Sequence, residues 1–258
     1  MQWGEKTWQD ISGMTDKVVV IPLGSMEQHG YHLPLLTDTM ICTELAKRAE
    51  AELENVLFLP VLWLGASDHH RAFHGTISVN NGLYTQVIID VLESIIGAGF
   101  KRVMFLNAHG GNELPGFAGI YEVQRRHREE KDLWIIFASW MNVASEGIAN
   151  FSDLVQKRVI HACELETSMI LHLTPKLVKM NEAVGTRTEF PSKFYNSDFS
   201  SSSRVATLRP FDHHSKTGAF GYPEKGTAEK GEALFDLAVK EIVALVNEFK
   251  TWPALEPQ

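Results

Sequence analysis

The sequence predicts an α/β protein, a three-layer α/β/α sandwich built on a mostly parallel central sheet. Two observations support this fold class. Short runs rich in Val, Ile, Leu and Phe are apolar on both faces, which is typical of parallel strands covered by helices on both sides. The segments between these runs have apolar residues at helical spacing, so strands and helices alternate along the chain.

The predicted elements can be located on the chain in order. The strands are "VVVIPLG" from Val18, "LFLPVLWLG" from Leu57, "RVMFLNAHGG" from Arg102 and "LWIIFASW" from Leu133. The helices cover Met40 to Leu53, Leu83 to Ile96, Leu114 to Arg128, His161 to Leu173 and Ala228 to Phe249. In the last helix the apolar residues keep helical spacing from Leu234 to Phe249.

The chain of 258 residues is predicted to form a single domain over residues 1–258. Neither a Pro/Gly/Ser-rich linker nor an internal repeat marks a boundary. From Gly185 to Gly226 the helical pattern fades into a polar stretch that contains "SSSS" and "DHHSKTGAFGYP". Loops of this length are uncommon unless they are functional or flexible. We therefore predict an excursion at about residues 185–226, over the site or into a subunit interface.

Composition and charge disfavour several classes of partner. The net charge is −8 and the basic residues are scattered, which argues against nucleic acid and acidic membrane surfaces. The start "MQWGEKTWQD" lacks the basic and apolar parts of a signal peptide, and no run of eighteen apolar residues occurs, so a cytoplasmic protein is expected. Cys42 and Cys163 are too few for a disulfide framework and are expected to be reduced, buried thiols.

Polar residues gather where predicted strands end. Glu27 and His29 lie two positions apart, so they share a face of an extended segment, and Asp38 returns after a turn at Pro34. His109 arrives from the end of another strand. Histidines and carboxylates from separate strand ends are ligands for zinc, manganese or iron. A carboxylate that bridges two such ions makes a two-metal site that activates water.

The segment "HACELETS" offers two further carboxylates. His161 and Glu164 are one helical turn apart and are predicted to face the same way, whereas Glu166 is rotated by about 140°. Glu164 is interpreted as an exposed helix residue. Glu166 leads into an apolar helix face, where a carboxylate is costly unless it is paired or bound to a metal. Glu166 is therefore the more interesting of the two.

Other polar motifs have simpler interpretations. His69, His70 and His74 form either a solvated turn or a set of donors and substrate contacts, and His70 is the favoured functional residue. Ser25 lacks the Gly-x-Ser-x-Gly elbow of a serine hydrolase, and "NAHGGNE" lacks the Gly-Lys-Ser/Thr ending of a phosphate loop. Neither a serine triad nor nucleotide hydrolysis is supported.

Five segments resemble, in order, the signature segments of the creatininase family, the creatinine amidohydrolase-like proteins. They are "GSMEQHGYHLPLLTD", "SDHHRAFHGTIS", "NAHGGN", "HACELETS" and "TGAFGYPEKGTAEKGE". The resemblance implies a three-layer α/β fold, a dinuclear divalent-metal site, hydrolysis of amide-like bonds and often a homohexamer. By position it implies metal ligation by Glu27, His29, Asp38 and His109. Asp38 would bridge the ions, His161 matches the histidine that acts on the substrate or moves its proton, and Ser67 lies at the substrate.

The chain departs from the creatinine-opening members at two places. Those members have a glutamate ligand in an "HYEN"-like segment where this chain has Gly111, so Glu166 is the candidate for the fifth ligand. They also have a tryptophan and an aspartate where this chain has Lys157 and Arg158. Cationic side chains at a substrate rim suit an anionic or polyhydroxyl substrate, provided that they point inward.

We therefore predict a divalent-metal-dependent hydrolase that uses a metal-activated water to cleave an amide-like C–N bond in a small cyclic or formamide-type substrate. Two ions per chain are expected, zinc first, with manganese or iron as alternatives. The predicted catalytic residues are His161 and Glu166, the metal ligands Glu27, His29, Asp38, His109 and Glu166, and the substrate-binding residues Ser67, His70, Gly110, Gly111 and Asn112. The alternatives are the opening of a cyclic keto-polyol ring of the inosose type, a single catalytic ion, or a non-enzymatic small-ligand-binding protein.

Overall fold

The computed structural model describes residues 1–197, 199 and 203–255, and a four-stranded parallel sheet lies at its centre. The strands are β1 (Val18–Leu23), β2 (Val56–Phe58), β3 (Arg102–Asn107) and β4 (Trp134–Ser139). Their order in the sheet is β2-β1-β3-β4, and every neighbouring pair is parallel. The predicted α/β class with a parallel central sheet is confirmed.

The helices lie on both faces of the sheet. They are α1 (Trp8–Ser12), α2 (Thr37–Glu52), α3 (Asn81–Gly97), α4 (Glu113–Arg126), α5 (Trp140–Val143), α6 (Ser145–Asn150), α7 (Glu164–Leu173) and α8 (Ala228–Phe249). Helices α2, α7 and α8 pack together on one face, and α3 and α4 pack together on the other. The predicted bounds of the last helix agree with α8, whose first turn is capped by the Thr227 side chain.

Strand β1 shows why the apolar runs are continuous. Successive side chains of a strand point to opposite faces. Val18 and Val20 belong to the core under α2, α7 and α8, whereas Val19 and Ile21 belong to the core under α3 and α4. Because helices cover both faces, every residue of this strand is buried.

The second strand is shorter than predicted. It ends at Phe58, because Pro60 has no N–H to donate to the ladder. The chain beyond it still follows β1 loosely, since the Leu62 N–H donates to the Pro22 carbonyl at 3.0 Å. The rest of the predicted strand is therefore irregular.

Helix α7 begins later than predicted, at Glu164. Ala162 has a φ of 48°, a left-handed conformation that does not continue a helix. His161 therefore precedes the helix. The prediction that His161 and Glu164 share a helix face is wrong, and so is the rotation inferred between His161 and Glu166.

The strand order creates a crevice at one edge of the sheet. Strands β1 and β3 are neighbours, although β2 lies between them in the sequence. In sheets of this kind, ligands bind beyond the carboxyl ends of the strands where the strand order reverses. Leu23 and Asn107, the last residues of β1 and β3, pair with each other. The polar segments after these two strands therefore begin side by side.

Residues 185–226 have little regular structure in their described part, which contains 3₁₀ turns at Phe211–His213 and Pro223–Lys225 and an isolated bridge between Thr186 and Phe220. The Phe211 ring lies 4.3 Å from the His70 ring, centroid to centroid, so this part of the segment covers the crevice. Cys42 and Cys163 are buried and unpaired. None of the described helices combines the length and the apolar character needed to cross a membrane.

Candidate metal centre

The loop after β1 delivers three buried side chains into one cluster. Glu27, His29 and Asp38 are each at most 2% exposed. Asp38 lies in the first turn of α2, and Ser25 Oγ donates a hydrogen bond to its Oδ2 at 2.8 Å. Gly24 allows α2 to return this closely, since a Cβ on it would lie 2.7 Å from a backbone atom of the helix. The loop is therefore folded back on the start of α2.

His109, which follows β3, reaches the same cluster. Its Nδ1 lies 2.9 Å from Asp38 Oδ2 and 3.7 Å from Glu27 Oε1. Its Nε2 lies 3.0 Å from Ser67 Oγ. The structure thus brings together the four residues that the sequence singled out at the ends of two strands.

Three histidines of the cluster share one feature, a backbone carbonyl beside one ring nitrogen. These contacts are His29 Nδ1 to the Glu27 carbonyl at 3.2 Å, His109 Nε2 to the Ala66 carbonyl at 3.3 Å and His161 Nε2 to the Gln28 carbonyl at 2.8 Å. Because a carbonyl can only accept, we assign the ring proton to the contacting nitrogen, and His161 Nε2 lies 2.9 Å from the Gln28 side-chain nitrogen as well. The other nitrogens face carboxylates, His29 Nε2 and His109 Nδ1 that of Asp38 and His161 Nδ1 that of Glu27. Metal-binding histidines are oriented in the same way.

Glu27 gives the strongest indication of a cation site. Its side chain is fully buried, and neither carboxylate oxygen has a hydrogen-bond partner in the described part of the chain. Its neighbours are the Nδ1 atoms of His29, His70, His109 and His161, at 3.4, 3.3, 3.7 and 3.6 Å. Two donors that each lie about 2.1 Å from a tetrahedral zinc ion are about 3.4 Å apart. The distances from Glu27 to the Nδ1 atoms of His109 and His161 fit donors that share an ion, whereas a buried carboxylate without a partner is costly.

Glu166, in the first turn of α7, completes the cluster. Its Oε2 accepts a hydrogen bond from the Cys163 N–H at 3.3 Å. The carboxylate also lies within ligand distance of His29 and Asp38. A carboxylate from the opposite side of the crevice therefore joins those of the β1 loop.

Glu164 is buried as well, but it serves another purpose. Its oxygens accept hydrogen bonds from Lys230 Nζ at 2.7 Å and from the Gln156 N–H at 2.8 Å. The interpretation of Glu164 as an exposed helix residue is wrong, because the ion pair with Lys230 allows it to be buried. Glu164 ties α7 to α8 and to the loop before α7.

The donor atoms form three groups in which all atoms lie within 4.8 Å of one another. The groups are Glu27 with Asp38 and His109, His29 with Asp38 and Glu166, and Glu27 with His29 and His161. The first two share Asp38, as expected for two neighbouring ions that one carboxylate bridges. A mixed set of imidazoles and carboxylates suits zinc, manganese and iron.

The charges of the cluster also call for a cation. Burial raises the pKa of Glu27 well above its ordinary value. Burial opposes a charge on His29, but the carboxylates of Glu27 and Asp38 raise its pKa to about 10. Burial alone would raise the pKa of Asp38, yet His29 and His109 hold it below the usual range. The negative charges of the carboxylates thus keep His29 protonated. A metal ion bound here would supply the positive charge in place of this proton.

At Gly111, where the resemblance implies a glutamate in the creatinine-opening members, the surrounding space is closed. A Cβ on Gly111 would lie 2.2 Å from the Ala66 carbonyl oxygen, 2.5 Å from His109 Nε2 and 2.7 Å from His69 Cε1. No side chain fits there unless the backbone or His109 moves. Glu166 enters the cluster from another element and needs no room at position 111.

A cavity of about 470 Å³ opens onto the cluster. Among the predicted site residues, those that line it are His70, His109, Gly110, Gly111 and His161. Phe211 packs over His70 and His161, with ring centroids 4.3 and 5.2 Å from theirs. The histidines therefore face a partly open cavity of the size of a small ligand.

Ser67 and Asn112, also predicted to bind substrate, do not line this cavity. Both are fully buried. Ser67 Oγ contacts His109 Nε2, and Asn112 accepts a hydrogen bond from the Ala66 N–H and donates one to the Gly24 carbonyl, each at 3.0 Å. These contacts hold the loops and His109 in place, and the two side chains do not face the cavity.

Gln28 is a site residue that the sequence analysis missed. It is nearly fully buried, and its Nε2 lies 2.9 Å from His70 Nδ1 and 3.3 Å from the Gly218 carbonyl. Gly218 has a φ of 81°, and a Cβ on it would lie 2.0 Å from Gln28 Oε1. The only sequence feature that points to Gln28 is its position between Glu27 and His29. A side-chain amide that is buried at such a position needs several hydrogen-bond partners.

The cationic rim predicted at Lys157 and Arg158 is not observed. Neither residue lines the cavity, and Lys157 Nζ donates a hydrogen bond to the Phe151 carbonyl. Any cation that meets a substrate in this cavity must come from another segment.

A buried cluster of histidines and carboxylates at the carboxyl edge of a parallel sheet defines the class of protein, a metal-dependent hydrolase on an α/β fold. The chain belongs to the creatininase family, whose family model, described as creatinine amidohydrolase, matches residues 4–246. The predicted membership in this family is confirmed, and with it the prediction of an enzyme.

Individual relatives cover nearly the whole chain. The mycofactocin precursor peptide peptidase of Mycobacterium tuberculosis (strain CDC 1551 / Oshkosh) is 31% identical over 93% of this chain and 88% of its own length. The creatinine amidohydrolase of Pseudomonas putida is 25% identical over 95% of each chain. A solved structure of a mutant creatininase of the Zn-Zn type has a TM-score of 0.77 at 24% identity and covers 96% of this chain and 97% of its own.

Proposed function

We propose that this protein hydrolyses an amide-like C–N bond in a small cyclic or formamide-type substrate, at a site for two divalent ions. The observation that supports this most directly is Glu27, whose two buried oxygens lack hydrogen-bond partners in the described residues and face four histidine nitrogens. When bound, such ions lower the pKa of water from 15.7 to about 7 and polarise a carbonyl. Zinc is the first candidate, with manganese or iron as alternatives.

The donor groups suggest how the ligands divide between the two ions. Glu27, Asp38 and His109 would hold one ion, and His29, Asp38 and Glu166 the other. The activities of two relatives agree with this chemistry, because a peptidase and an amidohydrolase both break C–N bonds. A homohexamer and a cytoplasmic location stay predictions from the sequence.

The proposed role of His161 is to move a proton. We assign its ring proton to Nε2, which lies 2.8 Å from the Gln28 carbonyl, and burial lowers the pKa of the ring well below its ordinary value, so a neutral ring with this tautomer can accept a proton at Nδ1. In the proposed reaction His161 Nδ1 takes a proton from the attacking water and passes it to the leaving nitrogen. Phe211, which covers His161 and His70, limits the entry of other water molecules.

A substrate screen tests the proposal. Protein loaded with Zn²⁺, Mn²⁺ or Fe²⁺ would be assayed against formamides, cyclic amides, short peptides and cyclic ketones, with metal-free protein as the blank. Metal-dependent hydrolysis of any of the C–N bonds supports the proposal. If only cyclic ketones are opened, the hydrolysis of a keto-polyol ring replaces the hydrolysis of a C–N bond as the proposed function. If the metal-loaded protein binds these compounds but hydrolyses none of them, both proposals are wrong.

Replacing His161 with alanine separates two roles for this ring. We expect kcat to fall by about 10² to 10⁴, as for the loss of a general acid–base group, while the metal content stays unchanged. Metal content would be measured by mass spectrometry of the purified protein. A loss of metal would instead make His161 a ligand with Glu27 and His29, which also lie within ligand distance. His127→Ala is the control, because the His127 ring contacts Glu93 and Glu130 away from the cluster. It should leave kcat and the metal content unchanged.

A matched pair of substitutions on α7 tests the fifth ligand. Glu166→Gln should lower the metal content and reduce kcat by about 100-fold or more, because an amide is a poor substitute for a carboxylate ligand. Glu164→Gln should keep the metal but lower the free energy of unfolding by about 1–3 kcal/mol, because it weakens a buried ion pair. Metal analysis and chemical denaturation measure the two effects. The reverse pattern would show that Glu164 is the ligand.

A further inference from the structure

One charged side chain in the cavity wall lacks a partner among the residues that the structure describes. Apart from histidines, the charged residues that line the cavity are Asp68 and Arg209. Asp68 accepts hydrogen bonds from Arg71 Nε at 2.6 Å and from Ser78 Oγ at 3.1 Å. Arg209 forms neither an ion pair nor a hydrogen bond with any described residue. Its guanidinium group is therefore the uncompensated charge in the described part of the cavity wall.

Arg209 is exposed, and the chain is anchored two residues after it. Phe211 packs against His69, His70 and His161, with ring centroids 5.0, 4.3 and 5.2 Å apart. Pro210, which lies between Arg209 and Phe211, restricts the backbone. Arg209 is therefore only two residues away from a phenylalanine that contacts the histidines of the cluster.

Much of the remaining cavity wall is apolar, although Asn81 and Thr207 also line it. Leu114, Ile160 and Leu208 line it together with Phe211. Leu114 and Leu208 are 56% and 85% exposed, so these apolar side chains are still available to a ligand. The described part of the cavity wall therefore combines histidines of the candidate metal cluster, apolar side chains and one arginine.

We propose that Arg209 is a specificity residue that binds a free carboxylate of the substrate, so that the substrate is a small amide with an apolar group and a carboxylate, such as an N-formyl amino acid. This inference rests on the proposed function and narrows its substrate class. A guanidinium group matches the geometry of a carboxylate with two parallel hydrogen bonds. A single arginine among apolar side chains suits a carboxylate better than a phosphate, which usually engages several backbone N–H groups.

The reaction on such a substrate is balanced by water alone. The formyl C–N bond breaks, the water oxygen forms the new C–O bond of formate, and a proton goes to the leaving amine. No oxidant, reductant or second substrate is needed. The carboxylate bound by Arg209 takes no part in the bond changes and serves only to place the amide at the cluster.

Kinetics on a matched substrate set test the role of Arg209. Formate release by the metal-loaded full-length protein would be measured with N-formyl-L-leucine, its neutral carboxamide and N-formylphosphoethanolamine. We expect Arg209→Ala to raise KM for N-formyl-L-leucine by about 10- to 100-fold, the effect of one charge-assisted contact, with kcat changed little. KM for the carboxamide should not change. Arg209→Lys should restore part of the loss, and Arg204→Ala, in the same segment but outside the cavity wall, should match the wild type.

The outcomes against the inference are equally specific. An equal effect of Arg209→Ala on the acid and the carboxamide would show a structural role only. A wild-type preference for the phosphate substrate over N-formyl-L-leucine would overturn the choice of a carboxylate. Equal use of the acid and the carboxamide by the wild type would overturn the inference and leave the proposed function standing.

A binding measurement covers the case in which no amide is hydrolysed. Calorimetry with 4-methylpentanoate, which has no amide bond, would compare the wild type with Arg209→Ala, and 4-methylpentanol would serve as the neutral probe. We expect the acid to bind at least about tenfold more tightly to the wild type than to the variant. If this holds without any hydrolysis, the proposed function fails and the carboxylate site stands. If neither protein distinguishes the acid from the alcohol, the carboxylate site is wrong.

Discussion

Replacing Asp38 with asparagine is expected to remove at least one of the two ions proposed for the site and to reduce kcat/KM by more than about 100-fold, which exceeds the usual effect of losing a group that only orients a ligand. Asp38 contacts His29 through Oδ1 at 3.1 Å and His109 through Oδ2 at 2.9 Å, so its two oxygens would serve both proposed ion positions. An asparagine side chain keeps one acceptor oxygen and loses the negative charge. The variant can therefore serve one ion position at most, and weakly.

Metal analysis of Asp38→Asn under saturating zinc or manganese measures the first effect, and a substrate found in the screen measures the second. Asp68→Asn is the matched control, because Asp68 lies at the cavity wall but is engaged by Arg71 and belongs to none of the ligand groups. It should keep the full metal content. Two tightly bound ions in Asp38→Asn would rule out Asp38 as the bridge.

Adding a single methyl group at Gly111 is the second change with a large expected effect. In Gly111→Ala the new Cβ would lie 2.2 Å from the Ala66 carbonyl oxygen and 2.5 Å from His109 Nε2, so the backbone, His109 or both must move. Overpacking of this kind destabilises proteins by about 1–3 kcal/mol. Since His109 belongs to one ligand group, we also expect partial loss of metal and a fall in kcat of about 100-fold.

Gly110→Ala provides the comparison, because a Cβ on Gly110 meets no atom within 4 Å. It should keep the wild-type free energy of unfolding and the wild-type metal content, measured by denaturation and metal analysis. Gly111→Glu should behave like Gly111→Ala and should not create an extra ligand. A stable, fully active Gly111→Glu protein would contradict the closed geometry described for this position.

The fold was predictable because its main signal is local. Strands buried on both faces must be apolar throughout, and β1 shows the pattern without exception. Helix boundaries that depend on the backbone conformation of a single residue are harder to predict from the sequence. Ala162 adopts a left-handed φ of 48°, which an alanine gives no reason to expect, so the start of α7 was placed too early.

The convergence of Glu27, His29, Asp38 and His109 was predictable from their positions after two strands, because the carboxyl ends of parallel strands share one edge of the sheet. Gln28 and Arg209 gave no comparable signal. Gln28 acquires its role from Gly218, and Arg209 from the packing of Phe211 against histidines of other segments. Such roles depend on contacts between distant parts of the chain, which residue spacing does not encode.

The origin of the donor groups has a consequence for the folding of the whole chain. Glu27 and His29 come from the β1 loop, Asp38 from α2, His109 from the end of β3 and Glu166 from α7. An ion bound by them would act as a cross-link between the sheet and a helical layer, closing loops of the chain as a disulfide does. The unfolded chain cannot assemble these donors, so tight metal binding and correct assembly of the layers are thermodynamically one process.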